Sequence, residues 1–356
     1  SKAALWSEFI NHYYETYHQT LKRVALRADL YRNKRLPEHL HVVKKPSQNK
    51  PAWKKILVKS DFPEGLSNLV KLTKNLWWSW NFDALELFEM IDPVLWEKFH
   101  HNPISLLESL SYKQLLSLEK NKEFMEKLAA VYSGFSDYMS QACSKIGDQV
   151  AYFSMEYGLH DSLKIFSGGL GILAGDYMKQ ASDSNMNIVG IGLLYRYGYF
   201  TQSLSLNGDQ METNIPQKFS HLPLNPVRIE GEENGITDIW LKIRVAFPGR
   251  TLFAKVWRVD VGRVPLFLLD SDIEDNTEED RNITHQLYGG SLENRLKQEL
   301  LLGIGGIRLL DAIGLKPIIY HCNEGHAAFI GLERMRKLVQ EEFFTYHEAI
   351  EIVRAS

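Results

Sequence analysis

The chain has 356 residues, of which 44% are hydrophobic and 24% charged. This is globular composition, long enough for two domains or for one large domain with an extension. A formal net charge of −3 argues against nucleic-acid or membrane-surface partners, and two cysteines, Cys143 and Cys322, argue against a disulfide framework and predict a reducing, cytoplasmic setting.

No apolar run reaches the length of a membrane span, and the opening SKAALWSEFI lacks the apolar centre of a signal peptide. The start at Ser1 without Met and the close at EAIEIVRAS in helical pattern predict a piece of a longer polypeptide. Residues 1–33 read as a helix, with Trp6, Phe9, Ile10, Tyr13, Tyr14, Tyr17 and Leu21 at three- and four-residue steps. The basic, proline-containing stretch NKRLPEHLHVVKKPSQNKP follows as a linker or arm. Residues 51–145 read as helical. SNLVKLTKNLWWSW places Leu69, Leu72, Leu76 and Trp80 on one helical face, and Asp92 precedes Pro93 as an N-cap. The cluster NLWWSWNF has the spacing of core tryptophans, with sugar stacking as the alternative.

From about residue 148 the pattern changes. QVAYFSMEYGL reads as strand then loop, ILAGDYMKQASDSN as helix, and NIVGIGLLY as a buried strand. Together these make a βαβ unit and a parallel sheet. DIWLKIRVAF and TLFAKVWRVDVGRVPLFLLD alternate like antiparallel strands and predict an inserted hairpin or side sheet. RLKQELLLGIGGIRLLDAIG reads as one long helix whose Gly303, Gly305 and Gly306 imply close packing. KPIIYHCNEGH is strand then loop, and AAFIGLERMRKLVQEEF is helix. The expected domains are 1–50 (extension and linker), 51–145 (helical region) and 146–356 (α/β domain).

Three stretches invite chemistry. FSGGLG, residues 166–171, joins a strand to a helix. Glycines there let an anion approach the free N–H groups of the first turn, while a tight turn with close helix–sheet packing explains them equally well. HCNEGHAAF, residues 321–329, sits where a parallel sheet places ligands. Its polar Asn323, Glu324 and His326 suit sugar hydroxyls or simply cap a helix, and its His/Cys/Glu spacing matches no standard zinc pattern. The run DSDIEDNTEEDR, residues 270–281, lacks the calcium-loop spacing and reads as a solvated loop. Arg295, Lys297 and Glu299 read as surface ion pairs, with phosphate binding as the alternative.

AYFSMEYGLHDSLKIFSGGLGILAGDYMKQASD, GLLYRYGYFTQ, RLKQE and NEGHAAF, in that order, resemble the α-glucan (glycogen) phosphorylases, and NLWWSWN resembles the helical segment of their shorter prokaryotic members. The resemblance covers about residues 55–356. It implies an α/β fold, the N-terminal Rossmann-like domain of the glycosyltransferase B architecture preceded by a helical region. It also implies phosphorolysis of terminal α-1,4-linked glucose, from glycogen or maltodextrin, to glucose 1-phosphate. It implies pyridoxal phosphate, on a lysine in a glycine-rich motif that this chain does not contain, so the isolated chain is expected to be inactive. It implies an α-1,4-glucan and inorganic phosphate as partners, no metal, and room for homo-oligomerisation. Carried over, Gly168 and Gly169 would face phosphate, Leu170, Gly171, Asn323 and His326 would bind substrate, and Glu156, Tyr195 and Tyr197 would support them. Two alternatives stand. A sugar-nucleotide glucosyltransferase like glycogen synthase would need Lys-Thr before GGLG, where this chain has Phe166 and Ser167, with Lys164 two positions too early. A non-catalytic glucan-binding module would use the tryptophan-rich region.

Overall fold

Between residues 62 and 141, helix starts follow capping chemistry. A computed structural model describes residues 62–141, 146–233 and 236–356. Residues from Ser60 to Ser356 belong to one compact unit. The helix expected over 1–33, the basic arm and Cys143 lie outside the described residues. The first helices are α1 (Ser67–Thr73), α2 (Phe82–Glu89), α3 (Pro93–Lys98), α4 (Pro103–Ser109), α5 (Tyr112–Lys120) and α6 (Lys122–Ser140). Asn81, Asp92, Asn102, Ser111 and Asn121 each accept a first-turn N–H on the side chain, satisfying donors that a helix leaves open.

The continuous helix expected through Trp80 is corrected. It stops at Thr73, and Leu76–Trp80 is a separate 3-10 helix. Asn75 causes the break: its Oδ1 accepts from Trp77 N at 2.9 Å and from Gly262 N at 2.9 Å, and its Nδ2 donates to Gly262 O at 2.9 Å. A side chain fully engaged across 187 positions outweighs local helical spacing.

The sheet is built from β1 (Ile146–Phe153), β2 (Met186–Leu193), β5 (Asn225–Pro226), β8 (Lys242–Phe247), β9 (Arg250–Val261), β10 (Val264–Asp270) and β11 (Ile319–Cys322). Its order is β11-β1-β2-β10-β9-β5, with β8 also on β9. The four strands β11, β1, β2 and β10 are parallel, and the pairs beyond β10 are antiparallel. Two small ribbons stand apart, β3 (Thr201–Leu204) with β4 (Gln210–Thr213) and β6 (Arg228–Glu233) with β7 (Ile236–Trp240). The expected side sheet is therefore corrected in part. β10 is an inner strand of the main sheet, nearly all buried, and such two-sided burial requires neighbours on both edges.

Helix α7 (Gly169–Asp183) covers one face of the sheet. Short α8 (Glu278–Arg281) precedes α9 (Leu292–Leu300), a π turn over Leu301–Gly305 and α10 (Gly306–Ala312), which follow one another without a break, so the long glycine-containing helix forms with a π turn inside it. A Cβ on Gly190 would lie 2.6 Å from Met178 of α7, whereas one on Gly306 would lie 2.8 Å from Ile191. Adjacent strand residues face opposite sides, so α7 and α10 sandwich β2. This covered, largely parallel centre is Rossmann-like. Helices α11 (Phe329–Gln340) and α12 (Tyr346–Arg354) complete the described chain.

One hydrophobic cluster joins the helical region, through Leu69, Trp78, Phe88 and Phe124, to sheet residues such as Phe153, Ile191 and Leu268. Arg263 closes the seam. Its Nε donates to Tyr138 O at 2.7 Å, one guanidinium nitrogen donates to Ser182 O at 2.8 Å, and its plane lies 3.6 Å from the Tyr138 ring centre. Among the described residues no helix is long and apolar enough to cross a membrane.

Candidate active site

Strand β1 lies between β2, which continues the chain to one side, and β11, which lies on the other. Loops at such a reversal diverge from the carboxyl ends of neighbouring strands and leave a crevice. Phe153 pairs with Cys322 at those ends, so the loop 154–168 and the loop 323–328 start side by side. Two bonds tie them. Asn323 Nδ2 donates to Ser154 Oγ at 3.0 Å, and Met155 N donates to His326 Nε2 at 3.0 Å. Asn323 and His326 are both buried.

The second bond decides the histidine's tautomer. A backbone N–H only donates, so Nε2 accepts and a neutral ring carries its proton on Nδ1. Burial, and then the Arg295 charge, hold the His326 pKa below its ordinary value, which keeps the ring neutral near pH 7.

The glycines divide by role. A Cβ on Gly171 would lie 2.5 Å from Phe166 Cβ and 2.9 Å from Glu156 Oε2, and one on Gly175 would lie 2.1 Å from Gly158 O. Those two glycines permit close packing. A Cβ on Gly168 or Gly169 would meet nothing within 4 Å. Among the described residues no side chain caps the N-terminus of α7, and the N–H groups of Gly169, Leu170 and Gly171 precede the first helical bond, Ile172 N to Gly168 O. Unpaired donors and the positive end of the helix dipole thus face open space. Leu170 is half-buried, Gly171 buried.

Glu156 holds this loop from behind. The residue is 2% exposed, and its Oε2 accepts from Ser167 N at 2.7 Å and from Gly168 N at 3.4 Å. Its Oε1 accepts from the Tyr288 hydroxyl. Tyr288 has φ 55°, a left-handed value that is costly for a bulky residue, and Arg295 lies 5.1 Å from its ring centre. Burial and then the bond to Glu156 push the Tyr288 pKa far up. Glu324 also has positive φ, 63°. Strained residues tend to gather at functional sites, and these two stand close enough to act on each other electrostatically.

The other expected residues occupy varied positions. Tyr195 is fully buried, with its hydroxyl donating to Met155 O at 3.1 Å. It lies beneath the loop. Tyr197 is half-buried, and its N donates to His285 O at 2.7 Å. Arg295 pairs with Glu299 at 3.0 Å, and Lys297 with Glu279 at 2.8 Å and Glu293 at 2.9 Å. These are the ion pairs that the spacing favoured. Among the described residues no group of three His, Cys, Asp or Glu side chains could hold a metal ion, and His321 stacks on Tyr152 at 4.7 Å.

The solvated reading of 270–281 holds for Glu274, Asp275 and 277–279, which are exposed, and is corrected at the ends of the run. Asp270 and Asp280 are buried, Arg250 forks onto both Asp280 oxygens at 2.7 and 2.8 Å, and Arg281 Nε lies 2.7 Å from Asp272. Cations supplied from β9 and the run itself allow the burial. Sequence reasoning also missed Tyr288 and Ser154. The Gly289-Gly290 pair was the one local signal of a tight turn at Tyr288.

Known proteins align with this sequence. Residues 62–163 match a family described as "Protein of unknown function (DUF3417)". The chain is similar to a glycogen phosphorylase of Mycobacterium tuberculosis, 39% identical over 322 residues, covering 86% of this chain and 37% of that protein. It is similar to a maltodextrin phosphorylase of Thermococcus litoralis, 40% identical over 306 residues, covering 84% and 36%. A glycogen phosphorylase of Aquifex aeolicus is 37% identical over 290 residues, covering 80% and 40%. The chain thus spans well under half the length of these relatives.

Proposed function

We propose that this chain, a homologue of the α-glucan phosphorylases over four-fifths or more of its length, forms one wall of a site that transfers a terminal α-1,4-linked glucosyl unit to inorganic phosphate. The observation that carries the reading is the open amide cradle at Gly168 and Gly169, set beside Asn323 and His326 at the strand-order reversal.

In phosphorolysis the glycosidic C1–O bond breaks, a phosphate oxygen bonds to C1, and a proton passes to the departing glucan oxygen. Positive charge develops at C1 while a dianion must stay beside it. Backbone N–H groups at a helix N-terminus hold that dianion with donors that have no proton to lose, and they need no reorganisation during the reaction. The His326 Nδ1–H and the Asn323 amide would orient sugar hydroxyls, and both are held rigidly by their bonds to the β1 loop. Glu156, anchored by Tyr288, fixes Ser167 N and Gly168 N and so sets the mouth of the cradle.

The residues fit a phosphate-bearing cofactor. The cradle has room where Cβ atoms on Gly168 and Gly169 would stand, and the N–H groups of Gly169, Leu170 and Gly171 precede the first helical bond, whereas Gly168 N is held by Glu156. Pyridoxal phosphate would supply a second phosphate as proton-relay partner, and we place its lysine outside this chain. The chain's own part is to bind, orient and exclude water. Its low cysteine count suits a cytoplasmic setting, with the domains dividing near residues 50 and 145.

The test is phosphate-dependent release of glucose 1-phosphate from maltodextrin by the full-length protein. Gly169→Val should lower that rate by about 10²-fold, the size of effect found on losing an oxyanion donor. A protein that consumes only a sugar nucleotide, or a Gly169→Val variant with unchanged phosphorolysis, defeats the reading.

A further inference from the structure

Packing explains only part of the aromatic run at 77–82. Trp77 and Trp78 are buried, but Trp80 is half-buried and stands at a groove of about 500 Å³. One face of α6 forms its floor, with Lys127, Ala130, Val131, Gly134 and Tyr138 at helical spacing. Asp183, the last residue of α7, and Asp83 also line it.

The groove walls are fixed before any ligand arrives. Asp183 Oδ1 accepts from the Trp80 indole at 3.2 Å and from the Tyr138 hydroxyl at 2.8 Å. Lys127 Nζ donates to Asp83 Oδ1 at 2.7 Å. The aromatic rings are therefore pinned by their polar edges.

Gly134 supplies an independent observation. It lies inside the 19-residue helix α6, where glycine is disfavoured relative to alanine. Among the described residues a Cβ built there meets nothing within 4 Å, so none of them requires its absence. What the missing side chain leaves is depth in the groove.

We propose that this groove is an accessory binding site for an α-1,4-glucan segment, separate from the cradle. Pyranose rings present a C–H face and a rim of hydroxyls. Aromatic walls suit the first, and fixed carboxylates, an ammonium and the Asn81 amide suit the second. Charges of both signs favour a neutral polar ligand over an anion. Asp183 lies at the far end of the helix that Gly169 begins, about 20 Å away at 1.5 Å per residue. The site would hold a polymer by one segment while a chain end occupies the cradle. The choice of glucan rests on the function proposed above.

The experiment measures retention of the 356-residue chain in gels containing glycogen, and titration with maltoheptaose followed by tryptophan fluorescence. Gly134→Leu fills the groove and improves helix propensity, so it should keep or raise the unfolding midpoint while weakening binding at least about tenfold. Asp83→Ala, at an exposed position, should weaken it less. Asn323→Ala should leave the groove's share intact. Wild-type chain that binds no glucan, or Gly134→Leu that binds as the wild type does, overturns the site. Phosphorolysis by the full-length protein is scored separately. If it persists while groove binding is absent, only the accessory site fails. If groove binding follows Gly134 and phosphorolysis is absent, only the enzymatic reading fails.

Discussion

The hydroxyl of Tyr288 donates to Oε1 of Glu156, 132 positions earlier, and so locks the carboxyl group that holds the glycine loop. Removing that donor leaves a buried oxygen without its partner. Tyr288→Phe should therefore destabilise the fold by about 1–3 kcal/mol. In the full-length protein it should reduce phosphorolysis while phenylalanine still fills the ring's place. Thermal unfolding of the variant checks the first effect, and a midpoint equal to the wild type's would show that the bond contributes nothing.

The glycines of the loop should separate cleanly under substitution. Gly168 has φ −149° and ψ −161°, open to any residue, and its Cβ would touch nothing. Gly168→Ala should leave the unfolding midpoint nearly unchanged. Gly175→Ala would press a carbon to 2.1 Å from the Gly158 carbonyl oxygen, and backbone cannot step aside as a flexible side chain can. Its cost should reach about 3 kcal/mol or more. Equal midpoints for the two variants would contradict this division.

Acid should weaken the fold through its histidines. His160 packs edge-on against Trp78 at 4.7 Å, and burial holds its pKa down from 6.5 to about 4. A histidine with a depressed folded-state value binds its proton less well folded than unfolded. Its contribution is complete above pH 6.5 and is lost as the pH falls toward 4, by up to about 3 kcal/mol. His326 adds in the same direction. Denaturant titrations across that window should show a shallower decline for His160→Gln, and an unchanged slope would assign the acid sensitivity elsewhere.

The buried Asp270 is matched by Lys255, 3.2 Å away, which also lies over the Trp240 and Trp257 rings at 5.3 and 5.5 Å. Lys255→Met would strand the acid, at a cost of about 3–5 kcal/mol. Adding Asp270→Asn should recover a large share, because the amide needs no counter-charge. A double-mutant cycle in calorimetry reads the coupling, and simple additivity of the two losses would rule it out.

Much of the frame was legible because it rests on local periodicity. The apolar run 188–193 lies in β2, and the helix expected over 172–185 formed over Gly169–Asp183. The bonds of Asn323 and His326 to Ser154 and Met155 followed from strand ends, a matter of topology rather than detail. What stayed hidden depends on partners far along the chain. Nothing near Asn75 signals Gly262 as its partner. The apolar run 266–269 suits burial on both faces, but its inner position follows from pairing with the distant β2. The acidic run looked solvated because Arg250, which neutralises Asp280, is thirty positions away. The cradle's two kinds of glycine also look alike in sequence, since only the neighbour of an absent Cβ tells them apart.

The bond from Met155 N to His326 spans 171 positions, and that span has a consequence for biosynthesis. At about 5–20 residues per second, a ribosome needs roughly 10–30 s to make the second half of the crevice after the first. Throughout that interval β1 has one bare edge, which is an invitation to mispair. Stalled nascent chains should protect the β1 amides that face β11 against exchange only once Cys322 has left the exit tunnel, and a holding chaperone would find its target in that window.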